Sequence, residues 1–228
     1  MPLFMPPARR DDCQQSLSRL LLALAILAAP TARAQTSASV TLTSELSARG
    51  VSLSDGRATT QLSVAYDGEQ GWYAGAVAAP RVRLGERDNA TQLIAYGGYA
   101  QRLASGLTWE AGASANTFQR ASEYNYRELY AGLASERLSG RLYLAPAYYG
   151  YGGRVAYAEL NGFVPLPRHF KLSAHAGVLN HFTGNASDRT DLHLALGYDI
   201  GTTHVQLAWL HGHQHAPRAL ALSASYSF

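Results

Sequence analysis

The sequence predicts an all-β chain folded as a transmembrane antiparallel β-barrel of about twelve strands in an up-and-down meander. Three observations carry that expectation. Apolar and polar residues alternate with period two from about Ser39 onward, as in a sheet whose two faces meet different surroundings. The connections between the alternating segments run long and short by turns. The last segment, Ala219 to Phe228, is an amphipathic strand running to a final aromatic residue.

Composition agrees. Hydrophobic residues make up 47% of the 228, yet the mean hydropathy is −0.13 and no stretch beyond Ala34 is apolar for long enough to form a membrane helix. Charged residues reach only 15%, where soluble domains carry about 25%. With 21 glycines and 14 tyrosines, the chain suits a surface that faces lipid and is belted by aromatics.

The first 34 residues read differently. Arg9, Arg10 and Arg19 precede the apolar run Leu20 to Ala29, and Ala32-Arg33-Ala34 offers a small-x-small cleavage site before Gln35. Basic, then apolar, then A-x-A is the order of a secretory signal peptide. The expected division is therefore a cleaved signal over 1–34 and a barrel over 35–228. Cys13, the single cysteine, falls in the signal, which leaves no thiol for a disulfide or Cys-based metal site. Without the signal, 15 basic and 14 acidic residues remain, a net charge of +1. No clustered basic face invites a nucleic-acid partner.

Turn residues divide the remaining chain into strands at 38–47, 58–66, 72–80, 90–101, 107–117, 125–135, 140–149, 153–164, 169–180, 190–199, 203–211 and 218–228. Most are near the length of about 9–11 residues that a tilted strand needs to cross a bilayer. The alternation is plain in Leu62, Val64 and Tyr66 against Gln61, Ser63 and Ala65, and in Leu192, Leu194, Leu196, Tyr198 and Ile200 against Asp191, His193, Ala195, Gly197 and Asp199. An even count brings both termini to one side, here the periplasm. The polar connections Ala48 to Arg57 and Arg81 to Asn89 are longer than the turns Asp67 to Gly71 and Arg102 to Gly106; Gly150 to Gly153 is short where the scheme calls for a long loop. Pro146 sits inside the seventh strand, where a closed sheet can hold it only through a local bulge. In the last strand Leu220, Leu222, Ala224, Tyr226 and Phe228 share a face. With Tyr226 and Phe228 at its end, that strand resembles the signal read by the barrel assembly machinery.

If the apolar face meets outer-membrane lipid, the polar face lines a lumen. Glu45, Glu110, Glu128 and Glu159 then point inward with Arg141, Lys171, His175, Asp191 and His193. Such charges are costly away from water. They fit a polar pore in which charge tunes ion selectivity, or a filled lumen braced by Glu–Arg and Glu–Lys pairs. Strand number does not decide between them, since eight strands enclose a filled interior and sixteen or more an open channel.

All eight histidines follow Arg168, and His211, His213 and His215 recur every second residue near the last outer loop. That spacing could hold Zn, Cu or Ni, although no acidic or Cys ligand accompanies them; a solvated polar loop is the plainer reading. Asn180, His181, Thr183, Asn185 and Ser187 cluster near one loop, as a Ser-His-Asn hydrolase set would, but the His-x-Ser-Asn run is absent. No cofactor is called for.

Several segments resemble a known family: Thr43 to Arg57 (TSELSARGVSLSDGR), Gly71-Trp72-Tyr73-Ala74-Gly75, Tyr126 to Gly132 (YRELYAG), Tyr143 to Tyr149 and the last strand. They are similar to the TorF family of proteobacterial porins over nearly all of the barrel portion. In that family the first outer loop reads aromatic-Arg-Gly-x-Ser-x-Ser-(Asp/Asn)-(Gly/Lys). Arg49, Gly50, Ser52, Ser54, Asp55 and Gly56 match, with Ala48 in the aromatic position. The resemblance implies a channel-like outer-membrane protein and no particular substrate. The expected function is passive diffusion of small hydrophilic solutes or ions. A closed structural or adhesive barrel with partner-binding outer loops is the alternative, and a lipid-modifying enzyme ranks third.

Overall fold

The computed structural model describes residues 35–85, 87–150, 153–183, 187–212 and 219–228. Fourteen strands lie among them: β1 (Gln35–Thr43), β2 (Ser47–Ala48), β3 (Val51–Ser52), β4 (Thr59–Asp67), β5 (Trp72–Leu84), β6 (Arg87–Arg102), β7 (Thr108–Gln119), β8 (Tyr126–Ala134), β9 (Leu138–Tyr148), β10 (Gly153–Pro165), β11 (Phe170–His181), β12 (Arg189–Ile200), β13 (Thr203–Gly212) and β14 (Ala219–Ser227). Twelve of them close one barrel in the order β1-β14-β13-β12-β11-β10-β9-β8-β7-β6-β5-β4, every neighbour antiparallel. That is the all-β up-and-down meander the alternation predicts. The other two, β2 and β3, form a small hairpin in the connection from β1 to β4.

Closure rests on the last strand. β14 pairs with β1 from Ser39↔Ser227 to Thr43↔Ser223, and the Phe228 amide donates to the Ala38 carbonyl at 2.9 Å. A closed ladder leaves no row of unpaired amides and carbonyls. Both described ends lie at the same end of the barrel as the short turns. One of those turns is Gly201-Thr202, whose glycine at φ +60° takes a backbone conformation that suits a two-residue hairpin.

The outward face is apolar. Leu142, Leu160, Leu194, Leu207, Leu220 and Leu222 all stand out from the wall, Leu220 with 70% of its surface exposed. Near the turn end this face carries a belt of rings: Trp72 on Tyr99 (5.2 Å between centroids), Tyr99 on Trp109 (5.7 Å), Phe170 on Tyr198 (4.7 Å) and Tyr226 on Phe228 (4.8 Å).

Pro146 lies in a bulge, as its missing N–H demands: Tyr148 pairs with Gly153 and Ala145 with Val155, so β9 holds one residue more than β10 there. It also lies beyond the last β8–β9 partners, Leu129 and Leu144. Two expected boundaries move. The first strand ends at Thr43 rather than at residue 47. The segment Arg81 to Asn89 is no long loop, because β5 and β6 continue as a paired ribbon to Leu84↔Arg87. Its charges are met in ion pairs, Arg83 with Asp55 and Asp88, and Arg87 with Glu123.

The buried core lies inside the barrel, at the loop end. Leu46 and Leu53, from the β1–β4 connection, pack with Val82, Leu84, Phe118, Tyr126, Tyr148, Val155, Tyr157 and Leu179 from the inward faces of the wall.

Candidate functional site: the lumen and the loop that enters it

The β1–β4 connection turns into the barrel instead of standing above it. Arg49 (φ +50°) and Gly50 (φ +75°) make the tip of the β2–β3 hairpin, and this tip crosses the mouth. Gly50 lies against the wall at β12 and β13: a Cβ built on Gly212 would come 2.4 Å from the Gly50 carbonyl oxygen, so only glycine fits there. On the near side the Arg83 amide donates to the Leu53 carbonyl at 2.7 Å. The hairpin is held by its own polar groups. The Leu46 amide donates to Ser54 Oγ (2.8 Å), Ser52 Oγ to Glu45 Oε1 (2.5 Å) and the Gly56 amide to Glu45 Oε2 (2.6 Å). Glu45 therefore leaves the wall position expected for it and braces the hairpin.

Arg49 is the side chain this loop delivers. Its Nη1 and Nη2 donate to Glu128 Oε1 and Oε2 at 2.5 and 2.9 Å, a bidentate pair with 13% and 3% of the two side chains exposed. The guanidinium also lies over the rings of Tyr157 (4.5 Å), Tyr143 (4.8 Å) and Tyr148 (5.5 Å). Burial opposes its charge, but Tyr148 and the Glu128 carboxylate outweigh that and hold the pKa well above its ordinary value.

Below Arg49, β5 to β10 contribute a second set. Arg141 donates through Nε and Nη2 to Glu110 Oε1 at 2.8 and 2.6 Å, and Tyr73 Oη donates to Glu110 Oε2 at 2.8 Å. Tyr143 Oη donates to Glu159 Oε1 at 3.2 Å. A cavity of about 240 Å³ beside Arg49 is lined by Tyr73, Tyr96, Glu128, Tyr130, Arg141 and Tyr143. Toward the turn end a second of about 330 Å³ is lined by Asn161, Phe163, Lys171, His175, His193 and Gln206.

The opposite wall is made mostly of small groups, with Gln61 of β4 among them. Ser39 and Ser63 share a hydrogen bond of 2.7 Å, and Thr41 Oγ1 donates to Ser225 Oγ at 2.9 Å. Ala65 and Ser223 continue it at the same strand parity, and all of these side chains are partly exposed.

The structure brings together most of the predicted lumen residues. Glu110, Glu128, Glu159, Arg141, Lys171, His175, Asp191 and His193 all sit on the inward face; Glu45 does not share that wall. Glu110 and Glu128 are each neutralised by an arginine. His211 lies on the outward face with its ring stacked on Trp209 (5.8 Å between centroids), and His213 and His215 lie outside the described residues. Of the hydrolase candidates, Asn180 points outward and His181 inward, Thr183 Oγ1 accepts from the Arg154 amide at 2.8 Å, and Asn185 is outside the described residues. Arg49 is a lumen residue that strand parity does not mark, although the motif Arg49 to Gly56 marks its loop. The tyrosines are expected in the outer belt, whereas Tyr73, Tyr130, Tyr143 and Tyr157 face inward. Strand parity carries that signal: Tyr143 is two residues from Arg141, and Tyr157 two from Glu159.

Residues 27–219 match the family described as "Bacterial protein of unknown function (Gcw_chp)". The chain belongs to that family. No curated protein matches this Gcw_chp chain in sequence. Among solved structures it is similar to the KdgM porin, with a TM-score of 0.55 and 12% identity over 84% of this chain and 99% of that one. It is likewise similar to the NanC porin, with a TM-score of 0.55 and 13% identity over 83% of this chain and 97% of that one. At such identities the likeness concerns the barrel fold.

Proposed function

We propose that this Gcw_chp barrel is an outer-membrane channel, akin to TorF-family porins, that passes small hydrophilic solutes through a bore narrowed by its own first outer loop. The observation that carries the proposal is the unequal lumen. Tyrosines, ion pairs and the Arg49 hairpin occupy one side, while Ser39, Thr41, Ser63, Ser223 and Ser225 place small side chains with hydroxyl groups on the other. The porin-like fold supports the same reading, as do the apolar outward face and its ring belt, which suit lipid. Glu110 and Glu128 are spent on Arg141 and Arg49, so sorting is by size and hydrogen bonding more than by sign of charge.

Single-channel recording of the refolded barrel in a planar bilayer tests this. Discrete conductance steps are expected in the wild type. Ser63→Phe, which fills the hydroxyl side, should cut the step size sharply while the protein still folds. A folded, inserted wild-type barrel that passes no current would overturn the channel. The packed hairpin across the mouth would then favour a closed barrel whose outer loops bind a partner.

A further inference from the structure

We propose that His175, Asp191 and His193 form a divalent transition-metal site in the lumen, for an ion of the zinc class. The site stands whether or not the lumen conducts. Strand register assembles it: Asn161 pairs with His175 and His175 with His193, one inward-facing row across β10, β11 and β12, with Asp191 opposite Gly177 in the next row. One ligand atom from each of the three residues can be chosen so that all lie within 4.8 Å of one another. A tetrahedral zinc ion bound at about 2.0–2.1 Å holds its ligand atoms about 3.3 Å apart, so side-chain rotations that draw the widest pair in by about 1.5 Å and move His175 Nε2 off Asp191 Oδ1 close the set.

Hydrogen-bond accounting favours a cation there. His175 Nδ1 lies 2.7 Å from Asn161 Oδ1, so the neutral tautomer that donates to Asn161 turns an Nε2 lone pair toward Asp191, with the Tyr157 hydroxyl 3.2 Å from that nitrogen. In that tautomer Nε2 and Asp191 Oδ1, 2.6 Å apart, are both acceptors, and a cation between them relieves the contact; the other neutral tautomer donates Nε2–H to Asp191 and gives up the bond from Nδ1 to Asn161 Oδ1. His193 Nε2 points at the same carboxylate oxygen from 4.0 Å, and it is buried without a hydrogen-bond partner. A proton on His175 would settle the first contact only; a metal ion satisfies both nitrogens and the carboxylate.

The surroundings match what ligating groups need. Asp191 is 1% exposed, and Tyr157 Oη reaches its carboxylate at 3.2 Å, which orients it. Gly177 makes that meeting possible: a Cβ there would come 2.2 Å from Tyr157 Oη and 2.5 Å from Asp191 Oδ2. Asn161 holds the outer nitrogen of His175, the usual support for a metal-bound imidazole. Both histidines open on the cavity of about 330 Å³, which gives an ion its entry and leaves a coordination position free for water. Two imidazoles with one carboxylate suit zinc, nickel, copper or cobalt better than calcium or magnesium.

The test is a titration of the full refolded protein, stripped with a chelator, with Zn²⁺ followed by calorimetry and Co²⁺ followed by its visible absorption. One lumen ion per barrel is expected, and it should persist when His211, His213 and His215 are replaced together by Ala. His193→Ala should abolish it. Asn161→Ala should weaken it about 10–100-fold, with Asn161→Asp restoring it. Heat-modifiable migration checks that each variant is folded, and the wild-type cobalt spectrum reports nitrogen ligation without any substitution. Absence of stoichiometric binding by the wild type would overturn the proposal, as would binding that His193→Ala leaves intact or that disappears with the three loop histidines.

Discussion

The two sides of the lumen are built from the same strand geometry and opposite side-chain choices. From β5 to β10 the inward positions carry Tyr73, Tyr96, Glu110, Glu128, Tyr130, Arg141, Tyr143 and Tyr157, large groups linked by ion pairs and ring contacts around the cavity beside Arg49. On β1, β4 and β14 they carry Ser39, Thr41, Ser63 and Ser225, which reach only each other. A barrel of this size cannot leave its whole interior wet and also anchor a loop inside. The division separates two tasks: one half anchors the loop, and the other carries small hydroxyl groups, which is where the proposed bore would run. The large groups are also the ones with the most to lose, because their charges and hydroxyls are met mainly by one another.

The largest expected effect comes from breaking the anchor. Arg49→Ala leaves the Glu128 carboxylate in a pocket where its only strong partner is gone. Loss of one member of a buried pair costs about 3–5 kcal/mol, which urea unfolding in detergent should resolve. Because the hairpin then loses its tie to β8 and keeps its Glu45 and Ser54 bonds, the Arg83–Leu53 bond and the packing of Leu46 and Leu53, the conductance step should rise as well. Adding Glu128→Gln should recover part of the stability but not the narrow bore. An Arg49→Ala barrel with unchanged stability and conductance would mean that the filled half does not anchor the loop.

A smaller effect should follow from removing a single hydroxyl on the same side. Tyr73→Phe deletes the donor to Glu110 and leaves that carboxylate to Arg141 alone. A hydrogen bond to a charged group contributes about 1.5–3 kcal/mol, so unfolding should shift by an amount in that range with little change in conductance. No shift would show that water replaces the phenol freely, and that the filled half is wetter than its contacts indicate.

The strands were legible because the two faces meet unlike surroundings along their whole length, so period two survives in the sequence. Where that contrast ends, so does legibility. The alternation of Leu42, Thr43, Ser44, Glu45, Leu46 and Ser47 continues past the point where the chain leaves the wall, because the hairpin also has one face in the core and one in water. Glu45 was assigned to the lumen for that reason. Arg81 to Asn89 read as a loop because most of it is polar and charged, but its backbone pairs as a ribbon and Val82 and Leu84 alone give it an apolar face toward the core. The position of Arg49 was hidden for a different reason. Its partners Glu128, Tyr143 and Tyr157 are 79 or more residues away in sequence, and local pattern does not record which distant strands a loop will touch. The His175, Asp191 and His193 group was half visible. Parity placed all three in the lumen, whereas only the strand register shows that β11 and β12 set them side by side.

The smallest effect belongs to the hydroxyl side, and it completes the contrast with Tyr73. Ser39→Ala removes the same kind of group, a hydroxyl in a side-chain hydrogen bond, but its partner Ser63 is uncharged and both face the open half of the lumen. Water can take the place of the lost oxygen, so the cost falls at or below the usual net value of about 0.5–1.5 kcal/mol. Conductance should be unchanged or slightly raised, since the bore gains the volume of one oxygen. If Ser39→Ala proved as costly as Tyr73→Phe, the small side chains would be part of a packed interior too, and the space between the two sides would have to be closed. The ratio of these two single-hydroxyl deletions therefore measures how different the two halves are, independently of any current the barrel carries.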